Sequence, residues 1–286
     1  MFLTLILNAN FAFSKCKDNP LSQQDNCIVE FKTRSSEQCT TINSDMVNWY
    51  VQKEWPDTDT YRSTGSFYSQ SPVDLKVGPV RNQGDIGWCF AYVAADLISE
   101  KTGEYISAAH IAKNYYKKSI IARLYNRTEG GYTFDAIANS LNEALCTEET
   151  LPSNQVDLNN FKKITCTQPT ILFQGYKPKF LTAEALPGGS SLFPALDDEL
   201  NKSPLVGINY NADTVHDSKT GIFNNHTASI VARYYDATQK SCQYIIRNSY
   251  GTLCSGDCKG GYYSVSEKSL NAGLTQIIIL TKETSD

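Results

Sequence analysis

From Cys89 to Thr102 the chain reads CFAYVAADLISEKT, with Phe90, Ala94, Leu97 and Ile98 at i, i+4, i+7 and i+8. That spacing predicts a helix with one core-facing stripe, stopped by Gly103. Two further helical stretches are predicted, Ser107–Lys118 and 134–144, the latter carrying Phe134, Ile137, Ala138 and Leu141 on one face; Gly130-Gly131 marks the break between them. From about residue 170 the period changes. Residues 204–210, 227–235, 242–247, 261–265 and 274–281 are short β-branched and aromatic runs separated by Gly, Asn and Asp, the pattern of strands and turns. A helical half followed by a strand-rich half predicts an α+β fold, with a cleft between the halves. Upstream, residues 15–64 are polar apart from a short apolar patch at Met46–Val51, and Thr64–Pro72 reads as a linker into the domain.

Composition narrows the class. The 286 residues are 41% hydrophobic, with 17 Tyr and 12 Phe, enough for a sizeable core in a soluble globular protein. The net charge is −4 and no long run of Lys or Arg occurs, so nucleic acid and anionic membrane are not expected partners. The opening MFLTLILNANFAFS is too short to span a bilayer. It resembles the apolar region of a secretory signal, with small residues at Ala12 and Ser14, although it lacks a positively charged start; residues 1–14 are read as a signal peptide and the protein as secreted or extracytoplasmic. Nine cysteines fit an oxidising compartment, because eight remain for four disulfides once Cys89 is set aside. Cys254 and Cys258 have metal-ligand spacing but no second pair nearby, and with three histidines in the chain no metal or other cofactor is expected.

Candidate chemistry gathers at four places. Gln83-Gly-Asp-Ile-Gly-Trp-Cys89 puts an amide six residues before a cysteine that opens a helix. There the unpaired N–H groups and the macrodipole favour a thiolate, which a sulfur nucleophile needs; the plain alternative is a small buried cysteine at the start of a core helix. Downstream stand Asn225-His226-Thr-Ala-Ser-Ile-Val and Asn248-Ser249-Tyr250-Gly251, and between them and Cys89 the double glycine Gly130-Gly131-Tyr132. Motifs for serine hydrolases, zinc peptidases and dinucleotide binding are absent.

In that order these segments resemble the active-site landmarks of papain-like cysteine proteases, over roughly residues 65 to 286. His226 lies 137 positions and Asn248 159 positions after Cys89, close to the spacing of that family. The resemblance implies a two-lobed fold, with a helical lobe at about 80–170 and an antiparallel β-rich lobe at about 171–286. It implies Cys89 as nucleophile, His226 as acid and base, Asn248 as the group that orients the imidazole, and Gln83 as an oxyanion donor. Gly130, Gly131, Trp88, Asn225 and Tyr250 are the residues it sets along the substrate. Expected partners are peptide or protein substrates and proteinaceous inhibitors, and a monomer is expected. Four departures stand out: Ile86 occupies the place of a loop-stapling cysteine, Trp88 that of a small residue, Phe90 that of a tryptophan after the nucleophile, and Tyr250 that of a shielding tryptophan. Trp88 is thus either a loop anchor or a substrate contact. Two competing readings change the function: a catalytically silent papain-like module that binds peptides or a partner protein, and a cysteine acyltransferase or amidase that keeps the triad and changes the acceptor.

The cysteines carry one more expectation. Residues 15–64 hold Cys16, Cys27 and Cys39, and the remainder holds five besides Cys89, so complete pairing requires a bridge between the two parts. With Cys146–Cys166 and Cys254–Cys258 as local pairs, Cys242 is left for Cys16, Cys27 or Cys39. Residues 15–64 are then either a short prosegment or a permanent extension.

Overall fold

A computed structural model describes residues 34–52, 71–124, 128–161, 163–182, 191–215, 225–251 and 258–283. The signal stretch, Cys16, Cys27, most of the Thr64–Pro72 linker and Cys254 lie outside them. The helices are α1 (Ser44–Gln52), α2 (Asp74–Val77), α3 (Cys89–Thr102), α4 (Ala108–Lys118), α5 (Ile120–Leu124), α6 (Thr133–Ser140), α7 (Phe193–Lys202), α8 (Ala212–Val215) and α9 (Glu267–Gly273). The strands are β1 (Ala144–Leu145), β2 (Ile171–Leu172), β3 (Tyr176–Thr182), β4 (Val206–Asn211), β5 (Asn225–Asp236), β6 (Ser241–Arg247), β7 (Tyr262–Ser266) and β8 (Leu274–Lys282).

Helix α3 runs as the spacing predicts and ends at Gly103, which adopts φ 73° and donates its N–H to Ser99 O at 2.8 Å. Its burial differs from the single stripe. Every residue from Phe90 to Ser99 is buried, because the helix lies between the other helices and the sheet. Ala91, Ala94 and Ala95 keep it slim, and on β4 a Cβ at Gly207 would meet Val93 at 3.0 Å and Leu97 at 3.2 Å. Helix α4 starts on a Ser107 cap that accepts from the His110 N–H. Helix α6 is shorter than predicted, since Ala144 and Leu145 leave it to pair antiparallel with Leu172 and Ile171.

The six-stranded sheet has the order β3-β8-β4-β5-β6-β7, with every neighbouring pair antiparallel. Both faces are covered. Ile278 and Leu280 of β8 join the core shared with α3, whereas Ile277 and Ile279 join the core under α7 and α9. Burial on both faces marks the inner strands β5 and β6, whereas the edge strand β3 has no fully buried residue. This mixed helical and antiparallel architecture is the α+β arrangement the sequence predicts.

The N-terminal segment is woven into the β-rich half. Strand β4 pairs with β5 only as far as Ile230, so the end of β5 extends past it. Ile42 takes the open edge: its N–H donates to Arg233 O at 2.9 Å and its carbonyl accepts from Arg233 N at 3.2 Å. Asn43 Nδ2 donates to Val231 O at 2.8 Å, and Met46 and Tyr50 of α1 are buried in the core. Cys39 is bonded to Cys242, and Cys146 to Cys166, as the parity argument anticipated. Cys258 is also disulfide-bonded.

The Cys39–Cys242 bridge closes a separation of 203 residues, for which chain entropy assigns a stabilisation of up to roughly 5 kcal/mol. The Cys39→Ala/Cys242→Ala double variant is therefore expected to unfold at clearly lower urea concentration, with a raised m-value because its unfolded chain is less constrained. An unchanged midpoint would show that the bridge holds nothing.

Candidate active site

Cys89 is the first residue of α3 and a free, half-buried thiol. Thr227, which bears on the titration of this thiol, is the third residue of β5. Burial pushes the thiol up, and the hydrogen bonds from Thr227 oppose that shift. His226, one residue earlier, is 8% exposed and sits between two phenol rings. Tyr210 meets its edge at 5.5 Å, and Tyr250 stacks on its face at 5.4 Å with the planes 9° apart. Burial raises the pKa of both phenols, and the nearby Cys89 adds to that shift.

His226 Nε2 lies 2.9 Å from Asn248 Oδ1. The same oxygen accepts from the Ser249 backbone N–H at 2.8 Å, and an amide nitrogen could not accept there. Oδ1 is thus an acceptor on the histidine side as well, so Nε2 carries the ring proton. In the neutral ring Nδ1 is left as the basic nitrogen. Burial lowers the His226 pKa, and the bond to Asn248 partly restores it. Tyr250 covers the imidazole face that its tryptophan counterpart was expected to shield, while remaining 47% exposed itself.

The Gln83 amide is also fixed in orientation. Its Nε2 donates to Ile86 O at 2.9 Å, and its Oε1 accepts from the Ser249 hydroxyl. One Nε2 hydrogen remains for another acceptor. The main chains interlock too: Gln83 N donates to Ser249 O at 2.7 Å and Gly251 N to Arg81 O at 2.9 Å, around the Asn82–Tyr250 bridge. Ser249, which the sequence reading left without a role, therefore contacts Asn248 and Gln83 at once.

The segment Gly84–Trp88 is held without a local disulfide. Ile86 packs partly buried against the core, Gly130 N donates to Gly87 O at 2.9 Å, and Gly87 N donates to Glu129 Oε1 at 3.1 Å. Trp88 corrects an expectation. It is fully buried, donates Nε1 to Thr128 O at 2.7 Å and packs on Phe161 at 4.7 Å, so its indole cannot meet a substrate. The double glycine divides its work. Gly130 uses its N–H on Gly87 and its carbonyl on the Tyr116 hydroxyl, both at 2.9 Å. Gly131 has no room for a side chain, since a Cβ would stand 2.8 Å from the Phe90 ring. Asn225 is exposed at the start of β5, paired with Asn211.

Beneath the site lies an ionic cluster that the sequence reading missed. Arg81 pairs with Asp96 and with Glu148, the latter at 2.9 Å. Arg247 pairs with the other oxygen of Asp96 at 2.9 Å and with Asp74. Both arginines are buried. The available signal was a lone arginine closing the apolar run Tyr244-Ile-Ile-Arg247, directly before Asn248.

A cavity of about 420 Å³ opens beside Tyr250, walled by Asn82, Tyr105, Pro152 and Asn154. His110 stands apart from the site. It lies near Cys146 and Cys166, but those sulfurs are joined and its Nδ1 accepts from the Cys146 N–H at 2.8 Å. Burial pushes His110 down to about 4, so it is a neutral core residue at neutral pH. Among the described residues no helix is long and apolar enough to cross a membrane.

No family model and no curated protein matches the chain. Solved structures do. Digestive procathepsin L 3 of Tenebrio molitor larval midgut superposes with TM-score 0.52 at 17% identity, over 75% of this chain and 72% of its own. The proform of Amb a 11, a cysteine protease and major ragweed pollen allergen, gives 0.53 at 15% identity over 80% and 75%. A structure from work on the mite allergens Blo t 1 and Der p 1 gives 0.51 at 19% identity over 84% and 78%. The chain has the papain-like fold.

Burial makes one residue of this region a structural anchor. Trp88→Ala is expected to cost about 3 to 5 kcal/mol of stability by opening a cavity, with KM for peptides unchanged in the fraction that folds. A raised KM without loss of stability would return the indole to the substrate.

Proposed function

We propose that this protein is a cysteine peptidase that cleaves peptide bonds through a thioacyl-enzyme on Cys89. The observation that carries the reading is the orientation of the imidazole. Asn248 Oδ1, itself tied to the Ser249 N–H, takes the Nε2 proton and leaves Nδ1 as the base. His226 immediately precedes Thr227, whose hydrogen bonds oppose the upward shift of the Cys89 thiol.

In the first half-reaction Sγ bonds to the substrate carbonyl carbon as its proton passes to His226 Nδ1. The carbonyl oxygen becomes an oxyanion, held by the Cys89 backbone N–H and the free hydrogen of Gln83 Nε2. The carbon–nitrogen bond then breaks, and His226 returns the proton to the leaving amine. Water attacks the thioester with His226 again taking the proton, and the acid product leaves Cys89 as a thiol. Gly131 is the glycine that pairs with an extended peptide backbone, because Gly130 already uses both its groups internally. Tyr250 and Asn225 border the substrate on the other side. The disulfides favour an extracytoplasmic setting, in line with a signal at residues 1–14. Residues 34–52 act as a permanent part of the catalytic unit.

The pH dependence follows from burial. The working state of the pair holds one proton between Cys89 and His226 and has no net charge. Adding a proton leaves a buried imidazolium without a counter-charge, and removing one leaves a buried thiolate alone. Burial disfavours both, so kcat/KM should follow a wide bell. Its acid limb falls below the ordinary histidine value of 6.5 and its alkaline limb above the ordinary thiol value of 9.0. Asn248→Ala, which removes a bond that raises the histidine, should move the acid limb further down.

The direct test is labelling with a peptidyl epoxide. Modification at Cys89 should track loss of peptide cleavage, and Cys89→Ser should abolish cleavage while leaving the fold intact. A folded, reduced protein that neither cleaves peptides nor takes the label at Cys89 would point to a binding module.

A further inference from the structure

The cavity beside Tyr250 has no part in the mechanism above. Its volume of about 420 Å³ is that of a site for a small ligand or a large side chain. Tyr105, Tyr250, Pro79 and Pro152 give it apolar walls. The nearly buried side chains of Arg81 and Glu148 form its floor, and the exposed Asn82 and Asn154 its rim.

The floor has no charge to offer. Arg81 directs Nε to Glu148 at 2.9 Å, Nη2 to Ile106 O at 2.7 Å and Nη1 to Asp96. Glu148 Oε1 accepts from Arg81, from the Ala108 N–H and from the Ser153 hydroxyl, and Oε2 accepts from the Ser153 N–H at 2.7 Å. Across the whole ionic cluster the carboxylates of Asp74, Asp96 and Glu148 outnumber Arg81 and Arg247. A carboxylate entering the cavity would stand unpaired beside that excess, and a cation would find no free acceptor on Glu148.

The rim offers amides instead. Asn82 Oδ1 accepts from the Gly84 N–H at 2.9 Å, which orients the amide and leaves Nδ2 without a partner among the described residues. Gly251 keeps space beside that nitrogen: it adopts φ 77°, and a Cβ there would stand 3.4 Å from Nδ2. The Asn154 amide also has no partner among the described residues.

Tyr250 ties the cavity to the catalytic groups, since it stacks on His226 at 5.4 Å and bridges to Asn82. On the proposed mechanism Gly131 pairs with the acyl side of the peptide and His226 hands its proton to the leaving amine. The leaving segment then runs past His226 toward Tyr250. Two residues of extended chain span about 6.6 Å, which carries the second one beyond the tyrosine ring.

We infer that this cavity is a substrate subsite for a bulky, neutral, apolar side chain at the second residue of the leaving segment, with Asn82 Nδ2 donating to a backbone carbonyl of that segment. The charge balance of the floor turns away an acidic side chain there, and also a free terminal carboxylate. A leaving segment that continues, or that ends in an amide, is favoured over one that ends as an acid.

The inference rests on the peptidase reading, and its test separates the two. Internally quenched peptides that share one acyl side and differ at the second leaving residue are compared on the full chain. Phe should exceed Gly in kcat/KM by about tenfold to hundredfold, and Asp should fall below Gly. Asn154→Trp, which fills the mouth of the cavity, should remove the advantage of Phe. An NMR titration of the Cys89→Ser full chain with Ala-Phe-amide reads the cavity without cleavage. The amide should bind, the free acid Ala-Phe should bind at least about tenfold more weakly, and adding Asn154→Trp should abolish binding. Equal kcat/KM for Phe, Gly and Asp, or an advantage of Phe that survives Asn154→Trp, overturns the inference and leaves the peptidase standing. Binding of Ala-Phe-amide that Asn154→Trp abolishes, in a parent protein that cleaves none of the peptides, keeps the cavity as a peptide site and removes the peptidase reading. If Asn154→Trp does not fold, the ratio of Phe to Gly on the parent chain decides alone.

Discussion

One carboxylate, that of Asp96, ties the active-site elements together. It sits seven residues after Cys89, two turns along α3 and therefore on nearly the same face, about 10 Å below. One of its oxygens pairs with Arg81 and the other with Arg247. Arg81 stands two residues before Gln83, and Arg247 stands immediately before Asn248. The helix that carries the thiol thus grips both segments that carry its polar helpers. These segments then interlock through Gln83 N to Ser249 O and Gly251 N to Arg81 O. Buried ion pairs add little net stability when complete, but losing one partner strands a charge at a cost of about 3 to 5 kcal/mol. Here the cluster fixes positions more than it adds stability.

The second constraint is dryness. His226 is covered by two tyrosines, and Cys89 lies against β5. Burial opposes a lone charge on either group, yet a proton passing between them changes no net charge. On the proposed mechanism such a site keeps its proton count over a wide pH range and still allows the thiolate to form when a carbonyl is in place. Fixed donors then matter more than mobile ones. The amides of Gln83 and Asn248 are each oriented by a bond that admits one assignment only, and Ser249 takes part in both.

Much of this was legible in the chain. Cys89, His226, Asn248 and Gln83 could be picked out as candidates because each proposed role admits few residue types and each stands in a distinctive local setting. The helix at 89–102 and the strands from 204 to 281 followed from periodicity. Other features depend on contacts that no local window contains. Helix α1 looked like a stray apolar patch because its burial comes from the end of β5. Helix α7 was lost among strands, since its amphipathic face meets a sheet core built from distant residues. Arg81 and Arg247 look like ordinary surface charges until both are seen around Asp96. Trp88 could not be assigned from sequence, as only the position of Thr128 and Phe161 turns the indole inward. The division of labour between Gly130 and Gly131 likewise needed the Tyr116 hydroxyl.

The proposed mechanism turns on where a carbonyl is attacked and where its oxygen goes. A crystal structure with a peptidyl aldehyde measures both. The account predicts a covalent hemithioacetal on Cys89 Sγ, its oxygen within hydrogen-bond reach of Gln83 Nε2 and the Cys89 backbone N–H, and the peptide backbone paired with Gly131. An aldehyde left unreacted beside an accessible Cys89, or an adduct whose oxygen points away from Gln83, would contradict it.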